Sequence, residues 1–262
     1  MGNLLESSSV SEIKNNVSKI GKHLVEVLES KEIAMGTLGL RLAKPKGFEY
    51  KAGQFIMVRM PCLLDKGLKE STRAMSLASA PFENDLLVSM RISDSEFKKE
   101  ACKLKAGDKL EIEGPFGRLT MEDQTAPTVF IGGGIGITPF RSLVLDQEKK
   151  GWPIEISLFY SGRTLETSPF LEEFQKIKSD KFKFVFVVSR PQELDKQWNG
   201  DTGRINAQML KKYLDDPTKY FYYVVGLPEM VIDVRKNLEL LGIPKEKIKF
   251  EHFSGYHILN GN

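Results

Sequence analysis

The spacing of apolar and polar residues divides the chain into two parts. Between residues 22 and 122, short apolar runs alternate with turns that contain Gly and Pro. The longest runs read as strands, at residues 23–29, 54–60, 85–92 and 108–114. Many short strands at this spacing predict a small antiparallel β-barrel. One helix is predicted within it, at residues 96–104, with Ser95 as its N-cap.

From residue 123 to 253 the pattern changes to strands that alternate with helices. The predicted strands cover residues 128–131, 154–160, 182–188, 220–225 and 248–251. The predicted helices cover residues 139–149, 169–177, 206–214 and 229–241. Continuously apolar strands separated by helices predict a parallel sheet covered on both faces, a Rossmann-like α/β domain. We therefore expect two domains, flanked by an N-terminal extension (1–21) and a C-terminal tail (254–262).

Composition narrows the class of protein. The 262 residues are 41% hydrophobic and 28% charged, as in soluble globular proteins. The 38 basic and 35 acidic side chains leave a net charge of +3, too small to indicate nucleic-acid binding. No apolar run has the length of a membrane span, and the polar first 16 residues contain no apolar signal-peptide core. We therefore expect a cytoplasmic protein.

The cysteines and histidines argue against a metal site. Cys62 and Cys102 lie far apart and predict neither a disulfide framework nor a zinc site. Two cysteines also exclude a four-cysteine iron–sulfur cluster within this chain. The histidines show no ligand spacing, and no Gly-x-Ser-x-Gly nucleophile motif occurs.

A glycine-rich loop lies between the first strand and the first helix of the second domain. Residues 132, 133, 134 and 136 are all Gly, and Thr138 and Pro139 follow. Glycine lets the backbone approach a phosphate closely, and the N-terminus of the next helix offers free amides. The loop therefore predicts a nucleotide site. Ile137 replaces the third Gly of the G-x-G-x-x-G fingerprint, so an ordinary Rossmann dehydrogenase fits poorly.

The order of the parts and their motifs resembles the ferredoxin–NADP reductase superfamily across residues 22–253. That family joins a flavin-binding barrel to a pyridine-nucleotide domain. Its Arg-x-Tyr-Ser motif matches Arg73-Ala74-Met75-Ser76 except at Met75. The resemblance implies that Arg73 offsets the charge of the flavin phosphate and that Ser76 reaches flavin N5. A methionine thioether still packs against an aromatic ring, so Met75 is expected to line the flavin.

The resemblance adds two further residues to the flavin set. Ser95 opens the barrel helix whose N-terminus the family uses for the flavin diphosphate. Arg91 stands shortly before it, near the end of a predicted strand. FAD is the expected flavin, and FMN is the alternative.

On the nucleotide side, the family's Gly-x-Gly-x-x-Pro loop matches Gly134, Gly136 and Pro139, which places Thr138 near the nicotinamide. The family's Cys-Gly-x-x-x-Met matches Gly226 and Met230, with Val225 in place of the Cys. Ligands bind at such strand ends in open α/β sheets.

The end of the chain resembles the plant-type Glu-x-Tyr terminus. Glu251 and Phe253 stand at the matching positions, which implies a nearby carboxylate and an aromatic ring that shields the flavin. The chain continues past them, and Tyr256 is an alternative shielding ring.

The choice between NADPH and NADH depends on groups near the 2′ position of the adenosine ribose. Arg163, Ser189 and Arg190 follow predicted strands and suit a 2′-phosphate. The same region also resembles members that use NADH, so both nucleotides stay open, with a slight preference for NADP(H).

The resemblance implies a flavoprotein reductase that takes a hydride from NAD(P)H. The expected acceptor is a separate redox carrier, such as a ferredoxin, flavodoxin, Rieske-type protein or cytochrome. Six barrel lysines are candidates for docking an acidic carrier, namely Lys44, Lys46, Lys66, Lys69, Lys98 and Lys99. The alternative function is a non-catalytic or complex-bound electron-transfer subunit.

Overall fold

The computed structural model describes residues 20–121, 125–194 and 198–253. Its first domain is an antiparallel sheet of six strands. The strands are β1 (Gly21–Ala34), β2 (Thr37–Ala43), β3 (Phe55–Arg59), β4 (Thr72–Ser76), β5 (Asp85–Arg91) and β6 (Lys109–Phe116). Their spatial order is β4-β3-β6-β1-β2-β5, and a bridge between Leu77 and Val88 joins the two outer strands. The predicted barrel is confirmed.

The barrel contains two strands that the apolar pattern did not predict, β2 and β4. Gly39 interrupts the apolar run of β2, and glycine weakens a strand signal. The structure explains the residue, because a Cβ on Gly39 would lie 2.7 Å from Cγ2 of Ile33 on the neighbouring strand. Leu38, Leu40 and Leu42 of β2 are all buried in the barrel core.

The barrel also has two short helices instead of the single predicted one. They are α1 (Leu68–Ser71) and α2 (Glu96–Ala101). The prediction for α2 was right at its start and too long at its end. Ser95 occupies the N-cap position with extended backbone, and its carbonyl accepts the amides of Lys98 and Lys99 at 3.0 Å. Its side chain makes no capping bond, so that part of the prediction was wrong.

The second domain is a six-stranded sheet in the order β10-β9-β8-β7-β11-β12, with every neighbouring pair parallel. The strands are β7 (Thr128–Gly133), β8 (Ile156–Gly162), β9 (Phe182–Val188), β10 (Asp201–Thr202), β11 (Phe221–Gly226) and β12 (Ile248–His252). The helices are α3 (Thr138–Lys149), α4 (Leu171–Lys176), α5 (Ala207–Tyr213) and α6 (Pro228–Leu240). The predicted α/β domain is confirmed, with the short edge strand β10 added.

Two apolar clusters lie on opposite faces of this sheet. Phe130 and Phe140 stack at 4.8 Å in one cluster, and Val129 and Val231 belong to the other. Alternate residues of β7 therefore face opposite clusters, as expected for a sheet covered on both sides. The predicted domain boundary falls at residues 122–124, outside the described residues, and stays a prediction. In the described ranges, no helix combines the length and apolarity that crossing a membrane requires.

Candidate functional site

The glycine loop lies where three elements of the second domain meet. Strand β7 ends at Gly133, a 3₁₀ turn covers Gly134–Ile137, and α3 begins at Thr138. A Cβ on Gly136 would lie 2.4 Å from the carbonyl oxygen of Val225, and one on Gly133 would lie 2.0 Å from Sδ of Met230. Only glycine permits these approaches. The loop is thereby brought against the end of β11, as the predicted nucleotide site requires.

Two predicted residues of the loop have different surroundings. Gly134 adopts a φ of +54° with open space around its Cα, so its backbone is accessible. Thr138 is buried and its hydroxyl donates to the carbonyl of Ile135 at 2.7 Å. The same hydroxyl lies 3.0 Å from Oγ of Ser89 on barrel strand β5. Thr138 therefore ties the loop to the barrel, and Pro139 begins the helix beside it.

The end of the described chain reaches the same place. Strand β12 pairs with β11, and the amide of Phe253 donates to the carbonyl of Gly226 at 2.9 Å. Phe253 is half-buried and packs against the core of the second domain. Burial raises the pKa of the neighbouring Glu251 carboxyl above its usual range, and no cation within the described ranges pairs with it. Tyr256 lies outside the described residues.

The predicted flavin motif forms β4 on the edge of the barrel sheet. Arg73 donates to the carbonyls of Lys69 and Thr72, and its guanidinium carbon lies 5.2 Å from the ring centre of Phe97. Within the described ranges, no carboxylate pairs with Arg73. Ser76 is 8% exposed and its hydroxyl makes no hydrogen bond in the same ranges, whereas Ala74 is exposed. Met75 is 6% exposed and packs in the barrel core, which keeps its thioether away from solvent.

A region of positive charge surrounds the start of α2. Burial lowers the pKa of Lys98, and the nearby guanidinium groups of Arg73 and Arg91 lower it further. The Ser95 hydroxyl is the one fully buried side-chain polar atom of the described residues that has no hydrogen-bond partner. Such orphaned groups are rare in folded proteins and call for a missing partner such as an ion. An anion would satisfy both the charge and the hydroxyl.

Arg91 has a second role that its sequence position does not reveal. Its guanidinium donates to the carbonyl of Met35 at 3.0 Å, to the hydroxyl of Thr37 at 2.8 Å and to the carbonyl of Thr167 at 3.2 Å. Thr167 belongs to the second domain, so Arg91 bonds across the domain junction while it adds positive charge near α2.

The residues expected near the adenosine ribose are brought together by parallel pairing of β8 and β9. The amide of Ser189 donates to the carbonyl of Gly162 at 2.7 Å, and that of Arg190 donates to the carbonyl of Arg163 at 3.1 Å. All three predicted side chains are exposed. Arg190 forms an ion pair with Glu193 at 2.7 Å, a carboxylate that was not among the predicted site residues.

A buried arginine at the domain junction, Arg141, was not predicted either. It lies on α3, directly after the glycine loop, with a side chain that is 9% exposed. It forms ion pairs with Glu83 of the barrel at 2.9 Å and with Glu173 of α4 at 2.7 Å. The available signal was a charged residue inside an otherwise apolar helix face, between Phe140 and Leu143. Charged residues rarely occupy such positions unless they are paired.

The barrel lysines predicted as docking candidates are largely occupied by internal contacts. Lys66 and Lys99 both lie within ion-pair distance of Glu96, and Lys44 donates to the carbonyl of Pro81 at 2.7 Å. Docking of a carrier on these lysines stays a prediction.

Comparison with known families identifies the second domain. Residues 130–236 match the model of the oxidoreductase NAD-binding domain. That range begins in β7 and includes the glycine loop and Gly226–Met230.

Similar curated proteins include one of the subunits of Na⁺-translocating NADH-quinone reductases. The protein of Marinomonas sp. is 34% identical over 200 residues, which cover 70% of this chain and 49% of that protein. The protein of Klebsiella pneumoniae is 35% identical over 205 residues, covering 72% of this chain and 50% of that protein. The chain therefore spans about half the length of these relatives.

Solved structures share the two-domain fold. A cytochrome P450 reductase from Amycolatopsis superposes with a TM-score of 0.77 at 23% identity, over 94% of this chain and 73% of that chain. A ferredoxin NADP⁺ reductase from Neisseria gonorrhoeae, solved with FAD and NADP, gives a TM-score of 0.76 at 22% identity, over 88% of this chain and 98% of that chain.

Proposed function

The chain belongs to the ferredoxin–NADP reductase superfamily, and from that premise we propose that it is an NAD(P)H-dependent flavoprotein reductase. It takes a hydride from the nucleotide at the glycine loop and passes electrons to a separate acceptor. The observation that carries this proposal is the pairing of two features. One is a positive region with an orphaned hydroxyl on the barrel, and the other is a close-packed glycine loop at the ends of parallel strands.

The barrel residues fit the diphosphate of FAD. The region around α2 brings together two arginines and a lysine, and the buried Ser95 hydroxyl has no partner in the described part of the chain. Charge-assisted hydrogen bonds from Arg73 to a phosphate would offset this concentration of positive charge. FAD supplies the hydride-accepting and one-electron chemistry that no side chain provides. FMN, which has one phosphate, remains the alternative.

Three residues are proposed to act on the reacting groups. The unpartnered Ser76 hydroxyl holds the flavin ring by donating a hydrogen bond toward N5. Phe253, fixed by its amide bond to Gly226, covers the site where the nicotinamide enters. Glu251 is the carboxyl nearest in sequence to that ring, and its raised pKa keeps part of its population protonated above the ordinary range of a carboxyl. It is therefore suited to exchange a proton with the site.

The favoured nucleotide is NADH. The motifs of the sequence slightly favour NADP(H), on the strength of Arg163, Ser189 and Arg190. The ion pair between Arg190 and Glu193 weakens that preference, because the carboxylate neutralises the guanidinium and repels a 2′-phosphate. A carboxylate also accepts hydrogen bonds from the ribose diol of NADH. The names of the curated relatives, which are NADH-quinone reductases, favour the same choice.

The acceptor is a separate redox carrier or another subunit of a complex. The curated relatives are subunits, which favours membership of a larger electron-transfer assembly as the second candidate function. Exposed, unpaired Cys62 and Cys102 support a reducing, cytoplasmic location.

The test is anaerobic reduction of the purified protein reconstituted with FAD. We expect a flavin absorption spectrum that NADH bleaches faster than NADPH. A protein that binds neither FAD nor FMN contradicts the proposal. Bound flavin that neither nucleotide reduces contradicts a reductase and favours the non-catalytic subunit. Ferricyanide reduction by NADH then tests whether electrons leave the protein.

A further inference from the structure

Arg141 uses its whole hydrogen-bonding capacity at the junction of the two domains. Nε and Nη2 donate to the two carboxylate oxygens of Glu173, at 2.7 Å and 2.8 Å. Nη1 and Nη2 donate to the two carboxylate oxygens of Glu83, at 2.9 Å and 3.2 Å. Nη1 also donates to the carbonyl of Ala78 at 2.8 Å. These bonds account for all the N–H donors of a guanidinium, so no other side chain reproduces them.

The barrel partners of Arg141 continue the strand that carries the predicted flavin motif. Ala78 stands two residues after Ser76, and its own amide donates to the carbonyl of Leu87 on β5 at 2.7 Å. Glu83 is held in place because its carboxylate also accepts the amide of Ala80 at 2.6 Å. The guanidinium is therefore fixed against the backbone that leads out of the flavin motif.

Neighbouring residues of α3 add contacts on the same helix face. The Ser142 hydroxyl donates to the carbonyl of Ser79 at 2.7 Å, and the Thr138 hydroxyl lies 3.0 Å from that of Ser89. Residues 141 and 142 follow residue 138 at spacings of three and four, so all three share one side of the helix. They lie in the first turns of α3, directly after the glycine loop. The loop is thus connected to the barrel through buried polar bonds.

We propose that Arg141 is a positioning residue for hydride transfer, which it serves by fixing the glycine loop at one distance from the flavin motif through Glu83. This inference rests on the proposed function. Hydride transfer depends steeply on the separation of donor and acceptor, and a displacement of about 1 Å can cost about a hundredfold in rate. A guanidinium that bonds both domains resists such a displacement without touching either cofactor.

Glu83 and Glu173 form a matched pair for the test. Each accepts two N–H bonds from the same guanidinium, but only Glu83 belongs to the barrel. In the FAD-loaded protein, Glu83→Gln should lower the limiting rate of flavin reduction by NADH about tenfold or more. Glu173→Gln should lower it less than about threefold, because the bond between the domains remains. The NADH concentration at half-saturation should change little in both.

Stopped-flow reduction with NADH, and with NADH deuterated at the transferred hydrogen, measures these rates. Equal slowing in the two variants, or slowing in neither, would overturn the positioning role, whatever happens to the melting temperature. If Glu83→Gln does not retain flavin, Ser142→Ala removes one barrel contact and leaves both ion pairs. It should then slow reduction measurably without changing half-saturation, and an unchanged rate overturns the proposal. Failure of the wild-type protein to be reduced by NADH instead contradicts the proposed function itself.

Discussion

Two arginines on either side of the domain junction are used in opposite ways. Every donor of Arg141 is taken by carboxylates and a carbonyl of this chain. Arg73 donates only to backbone carbonyls and lies over the ring of Phe97, and within the described ranges no acidic side chain pairs with it. Both are ordered by nearby groups. Only one has its charge neutralised.

The difference separates a structural cation from one available to a ligand. A buried guanidinium between two carboxylates is costly to disturb, because removing one partner leaves the other charge uncompensated. A guanidinium that contacts only neutral groups keeps its attraction for an anion. The orphaned Ser95 hydroxyl and the depressed pKa of Lys98 occur beside Arg73, where further positive charge would otherwise be unfavourable. Unsatisfied polar groups thus mark the binding region better than the most highly bonded residues do.

The sharpest way to break this comparison is to remove the Arg73 guanidinium. Arg73→Ala should weaken FAD binding by about 1.5–3 kcal/mol, the usual contribution of a hydrogen bond to a charged group. That loss corresponds to a dissociation constant raised by roughly one to two orders of magnitude. Titration of the apoprotein with FAD, followed by flavin fluorescence, measures it.

The matched control is Arg41→Ala, which removes one positive charge from strand β2 of the same barrel. Arg41 lies 3.8 Å from both Glu29 and Asp85, so its charge is already offset. We expect its FAD affinity to stay within about threefold of the wild type, since exposed pairs contribute little. Equal losses in the two variants would mean that Arg73 contributes only overall charge.

The same contrast explains which residues the sequence could reveal. Strand β9 was predicted residue for residue, because its apolar run is uninterrupted. Arg73 was found because a short local motif contains it. Arg141 was missed because its partners Glu83 and Glu173 lie 58 and 32 positions away in the chain. Local patterns report elements and motifs, whereas pairing between distant side chains becomes visible only in the fold.

The nucleotide side of the site is tested by the glycine loop. Gly136→Ala places a Cβ against the Val225 carbonyl, and backbone cannot move aside as a side chain does. We expect a loss of about 1–3 kcal/mol in the free energy of unfolding, together with weaker NADH binding. Gly134→Ala has open space and is strained only by its φ of +54°, so the loss should be smaller, about 1 kcal/mol. Urea denaturation compares the two, and a reversed order would contradict the close approach.

Nucleotide choice should change when the charge on Arg190 is released. Glu193→Gln removes the carboxylate that pairs with this guanidinium at 2.7 Å. The ratio of kcat/KM for NADPH to that for NADH should rise about two- to fivefold, in keeping with the small energy of an exposed ion pair. Glu172→Gln, which alters the exposed pair with Lys176, serves as the control. An unchanged ratio would place the 2′ position away from Glu193.

The smallest expected effect concerns Glu251, the carboxyl that has no cation partner in the described part of the chain. Burial raises its pKa in the folded protein, so the folded state holds this proton more tightly than the unfolded state does. Its contribution to stability is therefore present at low pH and is lost as pH rises from the unfolded value of 4.5 through the higher folded pKa. Glu251→Gln should raise the melting temperature by a few degrees at pH 7 and by less at pH 4.5. Thermal unfolding of the flavin-free protein at both pH values measures the difference, with Glu172→Gln as the exposed control. A gain that is the same at both pH values would show that the Glu251 carboxyl is solvated like an exposed one, and would remove it from the unpaired groups that mark the site.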